Sequence, residues 1–356
     1  MQQVLNQFKD RIAAASASKA ALRLRGGGSK DWYGQSLKGD PFDTRDYHGI
    51  IDYDPTELVI TARCGTTLDE IEAALAQHRQ MLAFEPPHFA ATSTIGGAVA
   101  AGLSGPRRQA AGALRDFVLG VTLMGGRGEV LHFGGRVMKN VAGYDVSRLL
   151  AGSMGTLGVI LEVSLKVLPK PSSESSLRFM MNEAKAIDTL NRWSALPLPI
   201  SASAWQDGML MVRLSGAEAA VSAAQEKMGG DKVHDADLFW NALREQKSNF
   251  FAPERHNGTC LWRLSVPSAT LPLDLPGAQL IEWGGAQRWF RTEAPVEAIR
   301  AAADKFGGHA CLFRGGDKCA GVFHPLRPTV AKIHRNLKTA FDPNGIFNPG
   351  RMYADF

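Results

Sequence analysis

The sequence is poor in the residues that local metal and cluster motifs need. It has four cysteines in 356 residues, Cys64, Cys260, Cys311 and Cys319, with no CxxC pair among them. That argues against an iron–sulfur centre held by this chain alone, since such clusters commonly take several closely spaced thiolates. The four read as reduced core or surface thiols. The nine histidines form no HxH and no HExxH, so spacing defines no metal site and none is expected. No run approaches the roughly 18 apolar residues of a membrane-spanning helix. The opening MQQVLNQFKDRIAAASASKA lacks the basic-then-apolar order of a secretory signal, and the expectation is a cytoplasmic protein. No Lys/Arg stripe with interleaved aromatics is present, so no nucleic-acid partner is expected. Neither a Walker A loop nor a G-x-G-x-x-G fingerprint opening a helix occurs.

What is there is the composition of a globular protein with room for two or three domains: 45% hydrophobic and 21% charged residues. The formal charge of +5 is spread along the chain rather than blocked. It suits an anionic substrate, an acidic partner or an anionic membrane surface, or is simply a solvated basic surface.

Hydrophobic spacing predicts a helix over 4–20, with Val4, Leu5, Phe8, Ile12 and Ala15 on one face. A short strand, 21–24, follows, then strands over 47–51 and 58–62 split by Asp54-Pro55. Thr67-Leu68-Asp69-Glu70 matches a capping box for a helix ending near Gln80. Strands over 117–124 and 129–133 form a hairpin across Gly125-Gly126-Arg127-Gly128. Residues 145–150 make one or two helical turns, and 158–168 alternate as a strand. Pro169-Lys170-Pro171-Ser172-Ser173 reads as a boundary. Beyond it, strands over 209–214 and 261–266 and helices over 217–228 and 295–306 fit a small α+β domain. A last helix spans 329–341. The domain expectation is 1–170, 171–328 and a segment 329–356 returning to the first domain.

Three glycine-rich stretches carry the chemistry. Arg25-Gly26-Gly27-Gly28-Ser29 follows a strand, and three glycines let several backbone N–H groups converge on one anion; a simple turn is the other reading. Pro86-Pro87 precedes Thr92-Ser93-Thr94-Ile95-Gly96-Gly97, where the glycines can lie under a flat ring or a diphosphate, or belong to a tightly packed small-residue helix. Lys139-Asn140-Val141-Ala142-Gly143-Tyr144-Asp145 leads to Gly152-Ser153-Met154-Gly155-Thr156-Leu157-Gly158, a turn that can lay its backbone beside a nucleotide or merely reverse the chain before a strand.

The ordered set RGGGS, TIGG, the hairpin ending at Gly134-Gly135, KNVAGYD, GSMGTLGVI and DPNGIFNPGR resembles the FAD-binding domain of the vanillyl-alcohol-oxidase/p-cresol-methylhydroxylase (PCMH) type. The likeness covers most of 20–170 plus 340–351. Within that family the wording is most similar to the FAD-binding E subunits of bacterial glycolate oxidases. The resemblance implies an α+β fold, a two-subdomain PCMH-type FAD-binding domain followed by a smaller α+β cap domain. It also implies that Arg25, Gly26, Gly27, Gly28 and Ser29 hold the pyrophosphate, joined by Pro87, Thr92, Thr94, Gly96 and Gly97 from the second subdomain. Gly155, Thr156, Gly158, Val159 and Ile160 would line the adenosine and flavin path, with Asn348 near the isoalloxazine edge.

The departures are informative. Many relatives carry a flavin-linking histidine in the first glycine loop; here Ser29 and Lys30 follow Gly28, so non-covalent FAD is expected. The larger 2-hydroxyacid dehydrogenases carry a histidine-rich metal-binding cap segment, whereas this cap reads Cys311-Leu312-Phe313-Arg314-Gly315-Gly316-Asp317. Oxidising a 2-hydroxyacid needs a hydride acceptor, a base and a cation for the carboxylate. Arg314, Arg263 or Arg288 can be the cation and His324 or His309 the base, each also readable as an ordinary packed or surface residue; Arg314 and His324 are the catalytic candidates. The expected function is the FAD-binding subunit of a glycolate oxidase, oxidising glycolate to glyoxylate with a larger homologous FAD subunit and an iron–sulfur subunit. Contact with the inner membrane would come only through those partners. The alternatives are a self-sufficient FAD-dependent 2-hydroxyacid dehydrogenase and a flavin-poor scaffold subunit. Phe239, Trp240, Phe250 and Phe251 are candidates for a partner-facing surface if they prove exposed.

Overall fold

The computed structural model describes residues 1–135, 144–252 and 259–356. KNVAGYD therefore falls outside the described residues except for Tyr144 and Asp145. The chain forms two compact units, Met1–Leu103 with Ala113–Pro169 and Pro325–Phe356, and Ser104–Gly112 with Lys170–His324.

In the first unit, helix Gln2–Ser18 buries Phe8, Ile12 and Ala15, the face its spacing predicts. Phe8 packs on Phe42, ring centroids 4.8 Å apart. Strand Leu22–Arg25 runs parallel to Asp40–Asp43. The C-terminal segment adds to its other side: Leu22 N–H donates to Ile346 O at 2.7 Å and Asn348 N–H to Leu22 O at 2.9 Å. A second sheet has five antiparallel strands in the order Ile50–Asp54, Val59–Arg63, Val159–Lys166, Val118–Met124, Val130–Gly134. The central strand alternates in sequence, yet Ile160 and Ser164 are buried along with Val159, Leu161, Val163 and Leu165. A middle strand covered on both faces has no solvent side; helix Ile95–Ala101 packs on one of them.

Among the boundaries that differ from the sequence reading, three have a visible cause. The third strand starts at Ile50, because Tyr47 lies in a turn and donates its hydroxyl to Glu162 at 2.9 Å. Burial and that bond push the Tyr47 phenol up to about 12. Thr67 caps its helix by accepting from Glu70 N–H at 3.2 Å, but the helix stops at Ala76. Arg79 turns the chain with φ 53°, and Gln80–Met81 becomes a short strand paired with Leu168–Pro169.

The second unit carries an antiparallel sheet of eight strands. They run in the order Asp231–Val233, Ser173–Met180, Met209–Gly216, Ile200–Gln206, Ala278–Glu282, Gln287–Thr292, Cys260–Ser265, His309–Arg314. Helices Glu183–Ser194 and Glu218–Met228 bury Ile187, Leu190 and Val221 against Leu177, Leu210 and Val212. Helix Val296–Asp304 places Ile299 and Ala303 against Trp262, Leu264 and Phe290. Residues 104–112, read from sequence as part of the first domain, join this unit. Buried Arg107 donates to Glu174 at 2.5 Å, Gln109 Oε1 accepts from Ser203 at 2.6 Å, and Gly105 O accepts from Trp283 Nε1 at 3.1 Å.

Three of the four aromatics considered for a partner surface belong to the core instead. Trp240, Phe250 and Phe251 are buried and Phe239 is half-buried. Trp240 donates to Ser176 at 2.9 Å, and Phe251 meets Trp289 edge-on at 5.4 Å. No helix among the described residues is long and apolar enough to cross a membrane.

Candidate functional site

A groove runs over the first unit, built from two overlapping clefts of about 540 Å³ and 410 Å³. The first is lined by Arg25 to Asp31, Ser93, Thr94, Gly97, Met154, Asn348 and Arg351. The second continues along Gly26, Thr44, Cys64, Gly96, Gly97, Gly155, Gly158, Val159, Ile160 and Asn348. The structure thus brings the first glycine loop, the Thr94–Gly97 segment, the turn before the central strand and Asn348 to one groove, although more than 320 residues separate Arg25 from Asn348 along the chain.

The glycine loop follows a strand end and has no room for side chains. A Cβ on Gly27 would lie 1.5 Å from Thr92 O, and one on Gly26 2.3 Å from Thr94 Oγ1. Thr92 Oγ1 donates to Gly27 O at 2.9 Å and fixes the loop from the second segment. Among the described residues no protein acceptor takes the backbone N–H of Gly27, Gly28 or Ser29. Such a row of free N–H groups is a nest for an anion, and its chemistry fits a pyrophosphate. Arg25 is not a free cation here. Its guanidinium folds back over Gly28 and pairs with Asp31 at 3.0 Å.

The Thr94–Gly97 segment contributes differently. Ile95–Ala101 is a helix capped by Thr94, so the small-residue-helix reading describes its backbone. Ile95 N–H donates to Thr66 O, Gly96 N–H to Cys64 O at 2.9 Å and Gly97 N–H to Thr94 Oγ1 at 3.3 Å. These residues give the groove a close-packed wall rather than free donors. A Cβ at Gly96 would lie 2.6 Å from Cys64 Cβ. The Cys64 thiol beneath is pushed up to about 12 by burial. Pro87 is buried and lines neither cleft.

The turn Gly152–Gly158 carries positive φ at Gly152, Met154, Gly155 and Gly158. Gly155 combines φ 69° with a closed neighbour: a Cβ there would lie 2.8 Å from Asn348 Nδ2. Thr156 does not line the groove; its hydroxyl donates to Ser153 O at 2.7 Å. Buried Asn348, at φ 42°, accepts from Leu24 N–H at 2.8 Å and donates to Met154 O at 2.7 Å. Both polar ends of its side chain therefore hold the groove's own backbone.

Sequence reasoning passed over several lining residues. Lys30 donates to Ser93 Oγ at 2.9 Å and Ser29 Oγ at 3.3 Å, placing an ammonium at the first cleft. Arg351 donates to Asp31 O at 2.9 Å and to Gln35 O, and burial lowers its pKa to about 10 despite Asp31 nearby. Lys30 sits at the loop because it follows Ser29 in sequence, whereas Arg351, at the end of DPNGIFNPGR, reaches the loop only through the fold.

The catalytic candidates lie in the second unit, and neither lines either cleft. His324 Nδ1 accepts from Ala310 N–H at 3.2 Å, which leaves Nε2 to carry the proton toward Asp304 at 3.0 Å. Its lone pair is thus engaged with a backbone donor. Arg288 is fully buried on Gly285 O, Thr270 O and Glu183. Arg263 and Arg314 flank the Phe313 ring at 5.1 and 5.9 Å, and burial lowers the Arg314 pKa to about 10. His309 is exposed at the start of an edge strand.

A nest of free N–H groups, a close-packed glycine wall and two overlapping clefts fit a flat, diphosphate-bearing cofactor. The FAD binding domain family matches residues 5–134. The chain is 49% identical to glycolate oxidase subunit GlcE of Escherichia coli, over 97% of this chain and 96% of that protein. It is 37% identical to glycolate oxidase subunit GlcD of Bacillus subtilis, over 86% and 77% respectively. A D-lactate dehydrogenase of Archaeoglobus fulgidus is 31% identical over 95% and 87%. A crystal structure of p-cresol methylhydroxylase with substrate bound shares the fold, with TM-score 0.69 at 15% identity over 99% of this chain and 87% of that one. The chain belongs to the FAD binding domain family, with the mixed α+β fold of the PCMH type.

Proposed function

We propose that this chain is the FAD-binding subunit of a glycolate oxidase, a 2-hydroxyacid oxidoreductase that converts glycolate to glyoxylate. The observation that carries the reading is the 49% identity to the GlcE subunit over nearly the whole of both chains. The groove supports it: free N–H groups at Gly27, Gly28 and Ser29 would hold the pyrophosphate, and Gly155, Gly158, Val159 and Ile160 would line the nucleotide path. FAD, when bound, accepts two electrons and passes them on singly or together. The chain's own residues bind and orient the cofactor: Thr92 and Asn348 fix the walls, and the Lys30 ammonium faces an anionic ligand. Ser29 and Lys30 offer no imidazole for a flavin link, which supports non-covalent binding.

The partners in this reading are a larger homologous FAD subunit and an iron–sulfur subunit, with any membrane contact on the cytoplasmic face made through them. The glycolate site lies on the larger subunit. The engagement of His324 and Arg288 with the second unit's own groups supports that placement. The test is a visible spectrum of the isolated chain, recorded anaerobically before and after glycolate. A flavin band that persists is expected. Bleaching would assign a complete active site to this chain, and a colourless protein that cannot be reconstituted with FAD would point to a scaffold.

A further inference from the structure

Helix Pro328–Phe341 is arranged against its own composition. Val330 and Ile333 are exposed, 39% and 52%, while its one buried side chain is Lys338, at 6%. Burying an ammonium costs several kcal/mol unless it is paired and fully hydrogen-bonded. Lys338 Nζ donates to Asp342 Oδ2 at 2.6 Å, to Phe347 O at 2.7 Å and to Thr156 O at 2.7 Å, which engages all three of its N–H groups. Asp342 in turn accepts from Ile346 N–H at 3.0 Å and Phe347 N–H at 2.8 Å. The end of the helix and the loop Asp342–Asn348 that follows it meet the groove turn at Thr156, 182 residues away in sequence, on one nitrogen.

Thr156 faces away from the groove, but its neighbours do not. Gly155, Gly158, Val159 and Ile160 line the second cleft. The turn is held at two carbonyls on either side of Gly155. Asn348 Nδ2 takes Met154 O, and Lys338 Nζ takes Thr156 O. A left-handed glycine between two anchored carbonyls has its peptide planes fixed from both ends. Without the lysine, Thr156 O would be an unpaired buried acceptor, and the turn would gain by shifting toward any other donor.

We propose that Lys338 is a positioning residue for the cofactor: by fixing the Thr156 carbonyl it sets the shape of the Gly155–Ile160 wall and so the affinity for FAD. The inference rests on the FAD reading of the groove. Lys338 itself touches no cofactor in it, because it lines neither cleft. A purely structural lysine would instead stabilise the apoprotein and the FAD-loaded protein equally.

The experiment uses the full chain as wild type, K338M and K338Q. FAD affinity is measured by quenching of flavin fluorescence on reconstitution, and the melting temperature with and without FAD. K338M removes every donor at near-constant length; K338Q keeps two amide donors for the carbonyls. A ligand bound only to the native state widens the gap between loaded and apo melting temperatures as the logarithm of its affinity. The expected result is FAD binding at least tenfold weaker in K338M, a narrowed gap, an altered visible circular dichroism of the bound flavin, and partial recovery in K338Q. FAD affinity within twofold of wild type and an unchanged gap in K338M would overturn the inference. If K338M does not fold, K338Q decides on the same readouts, with a loss of threefold or more supporting the proposal and a smaller change overturning it. Wild type that binds no FAD would overturn the cofactor reading itself.

Discussion

Thr92 and Gly27 are locked to one another twice. The Thr92 hydroxyl donates to Gly27 O at 2.9 Å, and the Thr92 carbonyl occupies the space a Cβ on Gly27 would need, 1.5 Å from its ideal position. The contact joins the first glycine loop to the segment before helix Ile95–Ala101, and both border the groove.

Gly27→Val is therefore expected to displace the loop. Backbone stands where the new side chain must go, so no rotamer relieves the clash. The loss in FAD affinity should be tenfold or more, about 1.4 kcal/mol or above. The check is the flavin-to-protein ratio after desalting in the folded variant; a wild-type ratio would sink the assignment of this loop to the cofactor.

Asn348→Ala should destabilise the first unit by about 1–3 kcal/mol, the cost of leaving a buried backbone group without its partner. It orphans Leu24 N–H and Met154 O at once. Asn348→Asp keeps an acceptor for Leu24 but sets a carboxylate against Met154 O, so it should not rescue. Thermal melts of the two variants and wild type, with and without FAD, make the comparison.

Acid should weaken the second unit through Glu174. Burial alone would raise this carboxyl, but bonds from Ser215 and Arg107, each 2.5 Å, hold its pKa below the usual 4.5. A carboxylate whose pKa is lower folded than unfolded contributes stability that is complete above the unfolded value and is lost as pH falls through the folded one. The expected signature is a fall in melting temperature below roughly pH 4.5 that is shallower in Glu174→Gln, which has no proton to gain. An identical acid limb in the variant would remove the pair from that role.

The thiols should separate by burial. Cys64, 2% exposed and with its thiol pushed up to about 12, is expected to stay unmodified by a maleimide in the native protein at neutral pH. Cys319 is exposed and should label first. Peptide mass mapping after brief labelling distinguishes them, and early modification of Cys64 would mean that the wall under Gly96 opens.

The local features of this fold were legible where chemistry is local. Thr67 caps its helix, Asp145 caps the turn Val146–Leu149, and Gly128 closes the hairpin with φ 75°, each as its residue type predicts. The three glycine stretches were also legible, since only backbone without Cβ atoms packs as Gly27 does on Thr92. The strand Ser173–Met180 was not, because SESSLRFM carries little apolar signal and owes its place to partners on both sides, Met209–Gly216 and Asp231–Val233. Nor was the grouping of 104–112 with the second unit, which rests on single bonds such as that from Arg107 to Glu174.

By itself the sequence determined the family pattern: an ordered set of glycine-rich turns, each next to a strand or helix, whose backbone can approach a diphosphate. Tertiary structure alone decided which charges serve the groove. Arg25, first in the glycine loop, is paired with Asp31 at the groove, Arg351 is brought in beside them, and Lys338 is drawn into the core beneath it. The reason is physical. A glycine's freedom belongs to its own backbone and can be read in place, whereas the role of a long cationic side chain is set by whichever acceptors the fold places within its reach, here carbonyls as far as 320 residues away.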